Sequence, residues 1–450
     1  MSATRIRRAA AAAVLAALLP NAAAAQDLLP KGAPQTRPVV LRNAVLHTLD
    51  KGTIVGGTLW FADGVIGGVL AADQPLTLPP GPEPLVIDAT GRHVFPGLIA
   101  ASSQLGLIEI GMVRQTVDTD ELGDLSPEAL AAVAVNPDST ALPVARSNGV
   151  LTVGVFPTGG LVPGRASVVQ LDGWTNADMT VLGDAGTVVA WPAERSGGRR
   201  GRGRRPGGDD DDPAAATKKA RQRIDDAFAH CRAWLDRSMV DPTTPPDLRA
   251  QALVPALRGE TPVFLLANDL EQIESAVLWA TGRELRPVIV GGQDAALCTE
   301  LLVQYEVPVI LTGTHRLPRR DDADYDEPFA LPALLAGRGV KFCIATGEEF
   351  AHERNLPYHA ATAAAFGLDR ERALAAITRD AAAILGVGDR LGTLTPGKLA
   401  TLFVADGNPL ELTTRIDRAW IQGREVDLRN KQTELADKYR RKYRDLDAGK

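Results

Sequence analysis

Strand-forming runs stand at both ends of this chain and bracket a long middle of a different kind, which limits the folds open to it. From Pro38 to Val94, short β-type runs are separated by glycine turns: Val39-Val40-Leu41, Ala44-Val45-Leu46, Thr58-Leu59-Trp60-Phe61, Val65-Ile66 and Leu85-Val86-Ile87. Beyond Arg390 such runs return, in Ala400-Thr401-Leu402-Phe403-Val404 and Ala419-Trp420-Ile421. Half a sandwich leaves apolar faces and unpaired strand edges in water, so the two ends are expected to share one small β-sandwich.

Between them, from Val94 to about Gly388, apolar β runs alternate with helical periodicity. Val263-Phe264-Leu265-Leu266 precedes a helical pattern over Leu270 to Thr281, then come Pro287-Val288-Ile289-Val290 and Val307-Pro308-Val309-Ile310-Leu311. A helical stretch near Leu331 to Ala336 and the run Val340-Lys341-Phe342-Cys343-Ile344 continue the series. Repeated strand-helix units imply a barrel or a doubly wound sheet. With 450 residues, 45% of them hydrophobic and 23% charged, the chain suits two or three packed domains rather than a disordered or multi-span protein.

A net charge of -6 supplies no global field for nucleic acid or anionic surfaces. The tract Ser196 to Pro213 holds Arg199, Arg200, Arg202, Arg204 and Arg205 among glycines, followed by Asp209 to Asp212. It offers almost nothing to bury, so a disordered loop is expected, and its acidic run offsets the arginines as a nucleic-acid site. At the other extreme, Arg5, Arg7 and Arg8, the apolar run Ala9 to Leu19 and Ala23-Ala24-Ala25 before Gln26 have the three zones of a secretory signal. Export to the periplasm or medium is expected, with cleavage after Ala25 and no stable membrane span. Three cysteines, Cys231, Cys298 and Cys343, cannot make a disulfide framework, and Cys231 and Cys343 are expected to pack as small hydrophobes. From Asn430 on, Leu435, Tyr439, Tyr443 and Leu446 share one helical face, which predicts a docked helix with a basic outer side, the alternative being a membrane-surface helix.

Three motifs in order carry a family resemblance. Asn43-Ala44-Val45, Ile87-Asp88-Ala89-Thr90-Gly91 and Phe95-Pro96-Gly97-Leu98-Ile99 resemble the entry of an imidazolonepropionase-like or dihydroorotase-like amidohydrolase. Gly392 to Ala400, with Asp406-Gly407-Asn408-Pro409-Leu410, resembles that family's return from barrel to sandwich. Asn355-Leu356-Pro357-Tyr358 and the helix Arg370 to Leu385 resemble the segment after its last barrel strand. The resemblance implies a (β/α)8 TIM-type barrel over 95–388, flanked by the two sandwich segments 26–94 and 389–429, with a signal peptide at 1–25 and a helix at 430–450.

The same resemblance implies an Asp-x-His-x-His run after Pro-Gly-Leu-Ile, because alternate residues at a strand end share one direction and two imidazoles can hold one divalent ion. This chain has Ala100, Ser102 and Gln104 there. A hydroxyl and an amide are poor zinc ligands. The bridging carboxylate or lysine has no counterpart, the next-strand histidine falls on Asn268, and the last-strand aspartate on Glu348. Of the six histidines, only His315 and His352 follow probable strand ends, and Glu348 and His352 have the spacing of one helical turn. His359 is expected to be a packing or surface residue. Asp118, Asp120 and Glu121 read as solvated loop acids, and Ser102-Ser103 lacks a nucleophile elbow.

The expectation is therefore an exported amidohydrolase-like protein without the catalytic metal or another cofactor, a pseudoenzyme binding a small molecule or an amidohydrolase-family partner chain. Ser102, Gln104, Asn268, His315 and His352 would line the barrel mouth. The alternative is an active hydrolase of amide or cyclic amide bonds with a non-standard zinc set and Glu348 as catalytic candidate. Nucleic acid is not expected as a partner, and a homo-oligomer stays open.

Overall fold

A computed structural model describes residues 29–193, 213–347 and 349–448. The signal sequence expected at 1–25 lies outside the described residues, as does the loop expected at 196–213 except for Pro213 at its end.

Two eight-stranded sheets make up the protein. The first contains β1 (Val39–His47), β2 (Thr53–Ala62), β3 (Val65–Leu70), β4 (Leu85–Asp88) and β5 (His93–Pro96), completed by β14 (Leu402–Ala405), β15 (Ile416–Ile421) and β16 (Arg424–Val426). Its order is β16-β15-β14-β5-β1-β2-β3, with β4 also on β1. The two chain ends meet where β14 pairs antiparallel with β5, Leu402 opposite Pro96 and Val404 opposite Val94. The period-2 pattern of β2 turns Leu59 and Phe61 into a core with Leu41, Leu46, Leu402 and Trp420. On its other face Trp60 lies flat over β3, where a Cβ at Gly67 would come within 2.1 Å of the indole and one at Gly68 within 2.4 Å. Only glycine fits those two positions.

Gly97 is the single residue between the sheets. The second runs β6 (Leu98–Ser103), β7 (Val150–Val155), β8 (Gly164–Gln170), β9 (Thr180–Ala190), β10 (Val263–Ala267), β11 (Pro287–Gly291), β12 (Val309–Thr312) and β13 (Phe342–Ala345) in sequence order, and β13 returns beside β6 in a nearly closed barrel. Phe156, just past β7, stacks edge-on against Phe264 of β10, centroids 4.9 Å apart. Since these strands are three apart in the sheet, the face they share is the lumen. Ile99, Ala101, Val168, Val188, Val290, Ile310 and Cys343 fill it, and the helix Arg379–Ile384 brings Ala381 and Ala382 to the same cluster.

The barrel departs from eight strand-helix repeats. β7 pairs antiparallel with β8, and β8 with β9. Only residues 156–163 separate β7 from β8, too few for the dozen or so that a parallel crossover requires, so the chain turns straight back. Helices wrap the remaining strands, Leu270–Thr281 after β10 among them.

Barrel and outer sheet are joined by a buried ion cluster. The Asp172 carboxylate, just past β8, accepts from Arg146 at 3.3 Å, from Arg424 of β16 at 3.1 Å and from the Gly32 amide at 3.1 Å. Asp172 and Arg146 are almost wholly buried. Cys231, Cys298 and Cys343 are all buried and unbridged, and burial raises their thiols, Cys231 to about 11 and Cys298 to about 12.

The C-terminal helix spans Lys431–Ala448, but it is not docked as the apolar face had led us to expect: none of its residues is buried. Ten of those residues are charged, and four apolar side chains give too narrow a stripe to draw them onto the body. Among the described residues no helix is long and apolar enough to cross a membrane.

Candidate functional site

The C-terminal ends of the parallel strands form the barrel mouth, where this architecture carries its chemistry. β6 delivers Ser102 and Gln104 there by an irregular route. Ala100 pairs with Val153 and Ser103 with Val155, so Ala101 and Ser102 together face Gly154 alone. This bulge breaks strict alternation. Ala100 and Ser103 share the outer face and are buried, whereas Ser102 and Gln104 are half-buried at the end of β6. The single direction expected for residues 100, 102 and 104 therefore fails at Ala100. Ser103 instead turns its hydroxyl to the Leu105 amide, 3.0 Å away.

β10 continues its lumen-facing series Phe264 and Leu266 to Asn268. The Asn268 amide N–H donates to Gln272 Oε1 at 2.7 Å, yet its own side-chain oxygen is buried without a hydrogen-bond partner. That oxygen lies against Gly291. A Cβ there would come within 2.4 Å of it, at a backbone φ of +114° that side chains rarely adopt. The glycine at the end of β11 is thus needed to admit Asn268.

The remaining polar groups gather beyond β12 and β13. Thr314 and His359 are both fully buried, with Oγ1 and Nδ1 2.8 Å apart. His315 lies ring to ring on His359, centroids 4.0 Å apart, and its Nε2 meets Thr362 Oγ1 at 2.8 Å. The buried Glu353 carboxylate accepts from the buried Thr346 hydroxyl at 3.0 Å. His352 stands exposed in the 3-10 turn Phe350–Asn355. Glu348 lies outside the described residues.

Sequence reasoning thus missed Thr314, Thr346 and Glu353, while His359 takes the packing alternative of its expected reading. Thr314 and His359 are 45 residues apart, and no local pattern announces their contact. His315 and His359 stack face to face. Asp120, read as a loop acid, pairs with Arg114 at 3.4 Å.

A zinc ion requires three or four imidazole, carboxylate or thiolate donors around one point. Among the described residues no three His, Cys, Asp or Glu side chains form such a group, and β6 and β10 end in a hydroxyl and two amides. The described donors do not fit the ion that the resemblance implies.

A model of the amidohydrolase family matches residues 324–432. Amidohydrolase tasK of Hapsidospora irregularis is 24% identical over 426 residues, covering 86% of this chain and 43% of that protein. The chain spans less than half the length of that relative. Among solved structures, an amidohydrolase of Thermotoga maritima MSB8 superposes with a TM-score of 0.73 at 22% identity, over 87% of this chain and 100% of its own. A molinate hydrolase superposes at 0.53 with 16% identity, over 88% and 95%, and a putative prolidase of Bifidobacterium longum at 0.51 with 17%, over 87% and 95%.

Proposed function

The chain is an amidohydrolase-family protein, and from that premise we propose that its barrel mouth binds a neutral polar small molecule without hydrolysing it by the family's metal chemistry. One observation supports the reading: the Asn268 side-chain oxygen is buried with no donor of its own, on a strand end that the proposal sets at the mouth beside Ser102 and Gln104. An unpaired buried acceptor costs about 1–3 kcal/mol, which a ligand N–H recovers. Amides and cyclic amides carry such an N–H beside a carbonyl that Ser102 and Gln104 can bond. The proposal takes the protein to be exported, in keeping with the Arg5 to Ala25 segment.

A second reading, hydrolysis of such amides, is favoured by the buried Glu353 and His359 at the catalytic face of the barrel. One experiment separates the two. Succinimide and N-acetyl amino-acid amides are incubated with the protein with and without added zinc, while thermal shift reports binding and chromatography reports cleavage. Binding that is lost in Asn268→Leu, with no cleavage, supports the pseudoenzyme. Turnover abolished by Glu353→Gln in a folded protein overturns it.

A further inference from the structure

We propose that the helix Lys431–Ala448 is a docking surface for an anionic lipid membrane. The fold does not use this helix, since all of its described side chains are exposed. It nevertheless starts firmly. Asn430 Oδ1 accepts from the Gln432 and Thr433 amides at 3.0 Å each, while Thr433 Oγ1 accepts from the Asn430 amide at 2.9 Å. These reciprocal bonds satisfy the first-turn donors without help from the body of the protein.

Leu435, Tyr439, Tyr443 and Leu446 form one stripe, each between 41% and 60% exposed. Along one flank of it run Lys431, Lys438 and Lys442, which helical geometry places on a single line beside the stripe. Lys442 leans over both rings, its Nζ 5.9 Å from the Tyr439 centroid and 5.7 Å from that of Tyr443. Glu434 and Asp445 lie on the far side of the lysine line, Asp447 and Arg440 flank the stripe on its other side, and Arg440 pairs with Asp437 at 3.0 Å.

That charge arrangement selects the occupant. Two copies of the helix packed antiparallel would set each lysine row against the other, and packed parallel would set it against a flank holding Arg440 and Asp447; the helix, with more basic than acidic residues, carries a net positive charge, so self-association is disfavoured. An anionic surface meets the lysine row with opposite charge, lets the stems lie along the stripe with the ammonium groups at the headgroups, and seats two tyrosines where one end is apolar and the other wet. Four apolar side chains anchor weakly on their own. Binding therefore depends on lipid charge and falls with salt.

The full chain is sedimented with phosphatidylcholine vesicles, and with vesicles in which part of the lipid is phosphatidylglycerol. Binding to the second only is expected, falling by about tenfold or more between roughly 50 and 500 mM salt. The triple variant Lys431→Glu, Lys438→Glu, Lys442→Glu and the double variant Leu435→Ser, Tyr439→Ser are each expected to lose about tenfold or more while melting as the parent does. Absence of binding, equal binding to neutral vesicles, or binding that survives both variants overturns the proposal. A dimer in sedimentation equilibrium that Leu435→Ser abolishes overturns it in favour of a second copy.

Discussion

His315 covers the face of His359, with ring centroids 4.0 Å apart and planes inclined by 27°. The two imidazoles stack on each other and each also meets a threonine hydroxyl, Thr362 for His315 and Thr314 for His359. A polar cluster of this kind specifies one packing when its members are satisfied and is costly when one is removed.

Thr314→Val is therefore expected to destabilise the protein by about 1–3 kcal/mol, since it keeps the volume but takes from His359 a buried hydrogen-bond partner. Urea unfolding measures it. A change within error would mean that the hydroxyl contributes nothing at this site.

Asp172→Asn is expected to cost more, about 3–5 kcal/mol, because it takes from the buried Arg146 guanidinium its ion-paired countercharge, leaving only the weaker influence of Asp427, and weakens the joint to Arg424. Arg424→Gln, at the more open end of the cluster, should cost clearly less. Equal melting curves for the two variants would contradict this ranking.

The legible part of the fold is the part built on regular periods. Leu270 to Thr281 was read as a helix and is one, because its apolar residues recur at the helical period between an Asp269 cap and Gly282. The union of chain ends was legible from strands that needed partners. The antiparallel turn-back at β8 was not, because an apolar run such as Ser167-Val168-Val169 has no direction in sequence; the shortness of 156–163 was the available signal. In the candidate site, motif position singled out Ser102, Gln104 and Asn268, whereas the bulge at Ala101 and the contacts of His359 arise from partners distant in sequence. The helix Arg370 to Leu385 is two helices broken near Ile377, whose carbonyl accepts from the Ile99 amide at the foot of β6.

Acid sensitivity between about pH 6.5 and 4 should have an identifiable source in the outer sheet. His47 Nε2 lies 2.9 Å from His93 Nδ1, and burial, with His93 beside it, lowers its pKa from 6.5 to about 4. The unfolded chain then binds a proton there that the folded chain refuses, so stability is full above about pH 6.5 and declines as the pH falls towards 4. The loss is about 1–2 kcal/mol, less than the whole shift implies because the ring is partly solvated. His47→Gln should flatten the pH dependence of the urea midpoint in that window. An unchanged slope would place the effect elsewhere.

The β6 bulge makes a sharper test of the mouth than the family pattern alone. If Ser102 and Gln104 open into it while Ala100 faces outward with Val153, two histidines and one aspartate introduced at these positions act differently. Ser102→His with Gln104→His is expected to stay folded and to bind zinc weakly by titration calorimetry, since two imidazoles without further donors make a poor site. The parent should retain no stoichiometric zinc by elemental analysis after dialysis, given its hydroxyl and amide donors. Adding Ala100→Asp to the double variant should not raise the affinity, and should lower stability by several kcal/mol, because a fully buried carboxylate on the outer face has no cation to meet. A gain in zinc affinity from that aspartate would show that Ala100 faces the lumen after all, and the pairing of Ala100 with Val153 would then be wrong at the residue on which the mouth's geometry turns.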